Sequence, residues 1–432
     1  MKELGALAIV AVAFLAGLIL TQSPGTVDVG TWRSWLNDAR AGGLIHGYAA
    51  NHAEYPPLAL AILYGAYELC SLVGLTDFKA IKLSILLFLW LSTFLVWLWT
   101  RSVNVTLILY FSLLLNSLAL GYLDIYFAPS LILSLWMLKE RRLVWFSAFY
   151  AVACLTKWQP LLIGPFIAIY LVGIQDDLGQ WKKWVRRIGL QALLPAVAVT
   201  ALTLAVFGAQ PVLQAFKAAL SHKYLSGNAL NLNWIVTYFL HTLRPNEFGG
   251  LKNGLATYFL TESWKITLIP RLLFYSTYSL TLLMFVRREK DFKNLVLFSI
   301  IGVLCYYTFN IGVHENHLFL VTVLAVILLW LDASFCSMAV LLILMSNINL
   351  FLFYGTDGIL HFERLFLGID TSLPLAFFNV LYFLFLFAWV LFAQAQAVKM
   401  PALGARHVLK HAAKAPGTNP DTAPGTDHSN SQ

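Results

Sequence analysis

Charge is what this chain has least of. Asp, Glu, Lys and Arg make up 12% of its 432 residues, against about 25% in a soluble domain. So few charges cannot cover a water-facing surface, which excludes a soluble globular protein. Cysteine is scarce too. Cys70, Cys154, Cys305 and Cys336 lie scattered in apolar stretches, with neither disulfide nor metal spacing, so buried packing is the expected role of each. No internal repeat and no soluble domain is visible.

Apolar and aromatic residues fill the space, at 59% and 15%. Runs long enough to cross a bilayer recur from end to end, which predicts an all-α polytopic membrane protein with a bundle of about 11–13 transmembrane helices. The expected spans are 4–20, 57–75, 81–99, 104–120, 125–138, 143–157, 158–173, 188–207, 268–286, 294–310, 317–331, 335–354 and 374–396. ELGALAIVAVAFLAGLIL follows a single Lys and precedes no small-residue cleavage site, so it reads as a retained first helix rather than a signal peptide. Together these predict a membrane domain over 1–398 and a polar, disordered cytoplasmic tail over 399–432.

The net charge of +8 lies largely in short loops, where it sets orientation and gives no reason to expect nucleic acid. KERR (139–142), WKKWVRR (181–187), RREKDFK (287–293) and the tail read as cytoplasmic. Every expected crossing after residue 139 alternates correctly between these anchors. Before it the count is one crossing out, so a segment between 57 and 138 is re-entrant, half-spanning or miscounted. Two long regions face the other side. In 21–56, TWRSWLNDARAGGLIHGY has near-helical spacing and suits an interfacial helix, with Trp32 and Trp35 at headgroup level. The second region is 208–267.

Four polar groups stand against the apolar background. Asp28 fits a solvated loop, a helix N-cap or a functional carboxylate. Glu54 and Tyr55 open EYPPL, whose prolines rigidify a helix start and place both residues toward a possible cavity. Lys157 joins two apolar runs of about fifteen residues, each about 22 Å long and shorter than the roughly 30 Å hydrocarbon core. It therefore sits below the surface, either snorkelling or binding an anion. In VHENHLFL, His314 and His317 are three apart and share one face if helical, with Glu315 placed to orient an imidazole. The group fits a helix-capping cluster or a phosphate site. A zinc site lacks a third ligand nearby in sequence.

With these residues in hand, the order of motifs resembles the GT-C glycosyltransferases, membrane enzymes that transfer a sugar from a polyprenyl-phosphate carrier. SPGTVDVGTWRSW followed by YPP is similar to their first external loop. TKWQPLL, SGNALNLNW and GVHENHLF resemble segments of prokaryotic relatives of the GPI-anchor mannosyltransferases, in the same order, over residues 28 to about 320. The resemblance implies a GT-C-like bundle with two long extracytoplasmic loops. It implies Asp28 as the catalytic acid residue, and Lys157, His314 and His317 near the donor phosphate. It also implies Asn228, Asn231 and Trp234 in sugar or acceptor binding. Asp124, in GYLD, corresponds to a second acidic position, on a side that the span count leaves open.

The expected reaction moves a hexose, mannose-like, to a lipid, glycan or protein acceptor on the extracytoplasmic face of a cell or cytoplasmic membrane. A phosphate leaving group departs largely unprotonated, so it needs waiting positive charge more than an acid. One carboxylate then suffices as base, which predicts inversion. No Asp-x-Asp pair stands on the outer side, and Asp176-Asp177 falls on the inner one, so neither metal nor cofactor is expected. A ligase or polymerase of lipid-linked glycans, and a transporter or lipid flippase, remain the alternatives; the chain lacks the similar halves of many transporters.

Overall fold

The computed structural model describes residues 12–51, 54–174, 181–261 and 263–398. The start of the first expected span, Asp176-Asp177 and the tail 399–432 lie outside the described residues. The chain divides into two compact units, 1–387 and 388–432. Of the second, only the end of the helix Ser372–Val398 is described.

The first unit is a helical membrane protein. About 78% of the chain is helical, and among the described residues six helices are long and apolar enough to cross a membrane: Asp77–Thr100, Lys182–Phe207, Trp264–Val286, Phe292–Phe309, Ala333–Tyr354 and Ser372–Phe392. Shorter apolar helices, among them Val103–Ala119, Leu143–Thr156 and Glu315–Leu331, pack between them. Strand structure among the described residues amounts to two small ladders. Large apolar side chains point outward from the long helices, for example Phe94, Leu202, Ile269 and Leu381, each more than half exposed. In water such a belt would be a liability, because soluble monomers rarely expose apolar patches beyond a few hundred Å². In lipid it is the solvated surface.

Side-chain contacts define two ends. At one, the Trp99 ring meets Trp136, Phe292 and Trp330, Lys139 lies over Trp330, and Lys293 pairs with Asp332 at 3.0 Å. Trp184 joins this end through Leu171 O. KERR, WKKWVRR and RREKDFK all begin here. The other end holds Asp28, Asp124, Lys157 and His314.

One correction restores the alternation between ends. The expected span 57–75 is not a pass. Helix Pro57–Ser71 leaves from Tyr55, and after it Asp77 accepts from Arg33 at 2.8 Å while Lys79 donates to Gln22 at 2.6 Å. It therefore starts and finishes at the Asp28 end. A 15-residue helix is about 22 Å long, too short to span the core unaided.

The helix expected within 21–56 is present and bent. Asp28–Ala50 turns back at Gly43, whose φ of 78° and ψ of 161° are open to glycine alone. The returning arm packs so closely that a Cβ on Gly47 would stand 2.4 Å from Ala39 Cα. The hairpin brings Asn51, Glu54 and Tyr55 back to the cavity that Asp28 lines. It also turns Trp32 and Trp35 inward, leaving them 3% and 7% exposed. Their expected headgroup position is thus incorrect: the aromatic spacing was that of an inward stripe.

A backbone turn anchors this hairpin. The helix Val103–Leu114 runs into a π-helical turn, Leu115–Ala119, leaving its last carbonyls free of helical partners. Lys82 Nζ donates to Leu118 O and Ala119 O, Ser23 Oγ to Ala119 O, Thr26 N to Leu120 O, and Trp32 Nε1 to Gly121 O. Each carbonyl from 118 to 121 is occupied.

This arrangement puts Cys70 near the Asp28 end and exposed Cys336, beside Asp332, at the other, with Cys154 and Cys305 buried. An impermeant maleimide applied to sealed vesicles is expected to label Cys70 and Cys336 from opposite sides. Labelling of both from one side would refute the two-ended arrangement.

Candidate functional site

Three breaks in the helices build the site. Leu143–Thr156 ends because Pro160 lacks the N–H that Thr156 O would take, and the chain continues as a 3-10 turn, Gln159–Ile163. Leu123–Phe127 is a second 3-10 turn and Glu315–Leu318 a third. Lys157 sits at the first break, Asp124 in the second and the VHENH segment at the third.

Lys157 is buried. Its Nζ stands 3.2 Å from Asp124 Oδ1, donates to Tyr55 Oη, and lies against the Tyr55 ring. Asp124 is fully buried, and its Oδ2 accepts from Asn316 Nδ2 at 2.7 Å. The sequence left the end occupied by Asp124 open; it is the Asp28 end, one layer beneath the cavity wall.

His314 and His317 do not share a helical face as expected. Gly312, at φ +68°, breaks the chain, Val313–His314 extends as a strand, and the helix proper begins only at Phe319. That strand pairs in parallel with Ser226–Gly227, and Gly227 is required there: a Cβ would meet His314 Nδ1 at 2.6 Å. His317 Nδ1 accepts the His314 N–H at 3.4 Å and lies 3.2 Å from Tyr306 Oη. Glu315 does not orient the imidazole either. Its Oε1 accepts from Tyr122 at 2.5 Å and Tyr354 at 3.1 Å, while Oε2 is 3.9 Å from His314 Nδ1.

These residues converge on one cavity of about 430 Å³, lined by Asp28, Glu54, Tyr55, Lys157, Asn228, His314, Glu315 and His317. Trp32, Trp35 and Tyr55 form an aromatic wall in it, with ring centroids 4.7–5.4 Å apart. A second cavity of about 350 Å³ shares Glu54, Tyr55, Lys157, His314 and His317. Beyond that shared junction it is mainly apolar, walled by Leu161, Leu162, Phe216, Leu220, Phe274 and Tyr278.

Two expected residues fall elsewhere. Asn231 is fully buried, capping helix Leu232–Leu243 through Trp234 N and donating to Tyr307 O at 2.8 Å. Trp234 is equally buried, and its Nε1 donates to Ser372 Oγ at 2.8 Å. Both hold the segment after Ser226 to the bundle, and neither lines the cavity. Asn228 does line it, at a φ of +58°, with its Nδ2 donating to Tyr354 Oη.

Sequence reading also missed His222. Its Nε2 pairs with Glu54 Oε2 at 2.9 Å, and its ring lies 5.2 Å from that of His314. SHKY stands immediately before the quoted SGNALNLNW, so proximity in the chain was the available signal.

Crowded carboxylates set the electrostatics. Burial, then Glu315, then Asp124 and Glu54 push Asp28 up to about 7, with Lys157 opposing. Burial and the neighbouring His222 bring His314 down to about 4 despite Glu54. At neutral pH Asp28 is thus poised between its forms and His314 is neutral. The arrangement offers a carboxylate able to take a proton, one fixed ammonium, neutral imidazoles, and an apolar recess beside them.

No family model, characterised protein or solved structure matches the chain.

The buried pair yields a prediction. Asp124→Leu alone strands the Lys157 ammonium and is expected to cost about 3–5 kcal/mol. Adding Lys157→Met is expected to recover much of that loss, as read by thermal unfolding in detergent. Equal destabilisation of single and double variants would show that the ion pair does not govern this junction.

Proposed function

We propose that this chain is an integral-membrane glycosyltransferase of GT-C type. In this reading it moves a mannose-like hexose from a polyprenyl-phosphate carrier to a lipid, glycan or protein acceptor. One observation carries the reading. Asp28, Lys157 and His314, far apart in sequence, line a single cavity that adjoins an apolar recess at the lysine and the histidines. A lipid phosphate needs such a seat: positive charge and N–H donors for its head, apolar walls for its first isoprene units. The aromatic wall suits the apolar face of a sugar ring.

In the proposed mechanism Asp28 takes the acceptor hydroxyl proton as that oxygen attacks the anomeric carbon. The bond to the phosphate oxygen breaks, and the carrier phosphate leaves as an anion toward Lys157. His314 and His317 donate to its other oxygens. A base near neutrality matches the working pH, which favours proton transfer. Asp124 acts as a positioning residue, holding the ammonium without touching substrate. Direct displacement inverts the sugar carbon. The proposed metal-independence rests on Lys157 supplying the stabilising charge and the histidines supplying N–H donors.

Basic clusters at the end opposite the site support an extracytoplasmic active site by the positive-inside tendency. The alternating helices support the bundle of about 11–13 spans expected from hydropathy. The polar residues gather at one end rather than midway along broken helices, which favours an enzyme over a transporter.

Transfer from a radiolabelled polyprenyl-phosphate hexose to a membrane acceptor tests the reading. Asp28→Asn is expected to lower kcat by about 10²–10⁴-fold. For the wild type, kcat/KM is expected to rise with pH through about 7, because the base must first lose its proton. Glu315→Gln removes a negative neighbour and is expected to shift that rise to lower pH. EDTA is expected to leave the rate unchanged, and product NMR to show inversion. Equal complementation of a deletion strain by Asp28→Asn and wild type would remove Asp28 from catalysis.

A further inference from the structure

The junction between the two cavities gathers Lys157, His314 and His317, and it already has a negative group in it. Glu54 lines both cavities and reaches back to His222 at 2.9 Å. We propose that the Glu54 carboxylate is a surrogate anion, occupying the phosphate seat at this junction until the phosphate of an incoming substrate displaces it. The proposal rests on the phosphate reading of the site.

Several observations carry it. The groups facing Glu54 come from separate segments: His222 from the external region, His314 from the short strand, Lys157 from the helix break, and Asp28 across the cavity. Burial alone would lift its carboxyl. The hydrogen bond from His222 and the nearby positive potential, that of Lys157 included, outweigh this and hold it below the ordinary range. Glu54 thus sits where an anion is favoured.

The groups around the carboxylate are fixed and the carboxylate is free to leave. Lys157 is locked by Asp124. His314 is clamped by the ladder to Ser226–Gly227, and His222 packs so closely on Gly312 that a Cβ there would stand 2.6 Å from its own. The Glu54 side chain is 44% exposed and belongs to the turn before Pro56 rather than to a helix. It can swing toward solvent while the seat stays built.

A ligand must therefore outcompete one carboxylate. A phosphate bearing nearly two negative charges does so, since its attraction to Lys157 is larger at the same distance and its further oxygens accept from the imidazole N–H groups. A neutral sugar or alcohol does not. Glu54 in this role raises the threshold for binding and selects for phosphate.

The test uses full-length protein in nanodiscs, with farnesyl monophosphate and inorganic phosphate as separate calorimetric probes. Glu54→Gln keeps an oxygen to accept from His222 and removes the charge. It is expected to bind at least about fivefold more tightly than wild type, with Glu54→Ala changing in the same direction. Thermal unfolding verifies that both variants are folded. A gain for farnesyl monophosphate alone assigns the seat to lipid headgroups, and a gain for both probes to phosphate in general. Wild-type binding with equal or weaker binding by Glu54→Gln overturns the role of Glu54 and leaves the phosphate reading intact. If neither protein binds either probe, the phosphate reading falls and this proposal with it.

Discussion

A single buried ammonium organises the centre of this protein. Lys157 cannot sit in an apolar bundle without a countercharge, and Asp124 supplies it from a different break in the helices. Asp124 is in turn held by Asn316, whose neighbours are Glu315 and His317. One electrostatic requirement therefore ties three 3-10 turns to each other. Continuous helices would satisfy their own backbones and slide past one another. Broken ones expose side chains and polar backbone at a fixed level, and here the breaks meet.

The same crowding explains the charge states. Each of three carboxylates has a partner: Asp124 has Lys157, Glu54 has His222, and Glu315 has the phenols of Tyr122 and Tyr354. Among the described residues, the carboxylate of Asp28 has no ion-pair partner. Burial, and then the field of the other carboxylates, outweighs the opposing pull of Lys157 and raises it to about 7. Its proton affinity is thus set by burial first and by crowded neighbours second.

Much of this was legible in the sequence, for a physical reason. A polar residue in an apolar run carries a cost, so Asp28, Lys157 and His314 stood out, and the basic clusters marked one end. What stayed hidden depended on direction. Hydropathy reports that 57–71 is apolar but not that it returns to the end it left. Aromatic spacing is the same for an inward and an outward stripe, so Trp32 and Trp35 were misplaced. Gly42-Gly43 resembles any loop, and only the packing of Gly47 on Ala39 reveals a hairpin. Asn231 and Trp234 belong to a motif that resembled a binding segment, yet their polar atoms are consumed by a helix cap and by Ser372. Polarity marks a residue as costly; it does not say whether substrate or backbone meets the cost.

The fully occupied turn from Leu118 to Gly121 divides the pocket mechanically. Its carbonyls pin the hairpin that carries Asp28 and the aromatic wall, making that side an unyielding floor. The opposite side, the segment carrying His222 and Asn228, meets the His314 strand through a ladder of two residue pairs. Asp28 and its aromatic wall are therefore held by backbone carbonyls, whereas the His314 side is held by a short ladder and by the side chains of Asn231 and Trp234.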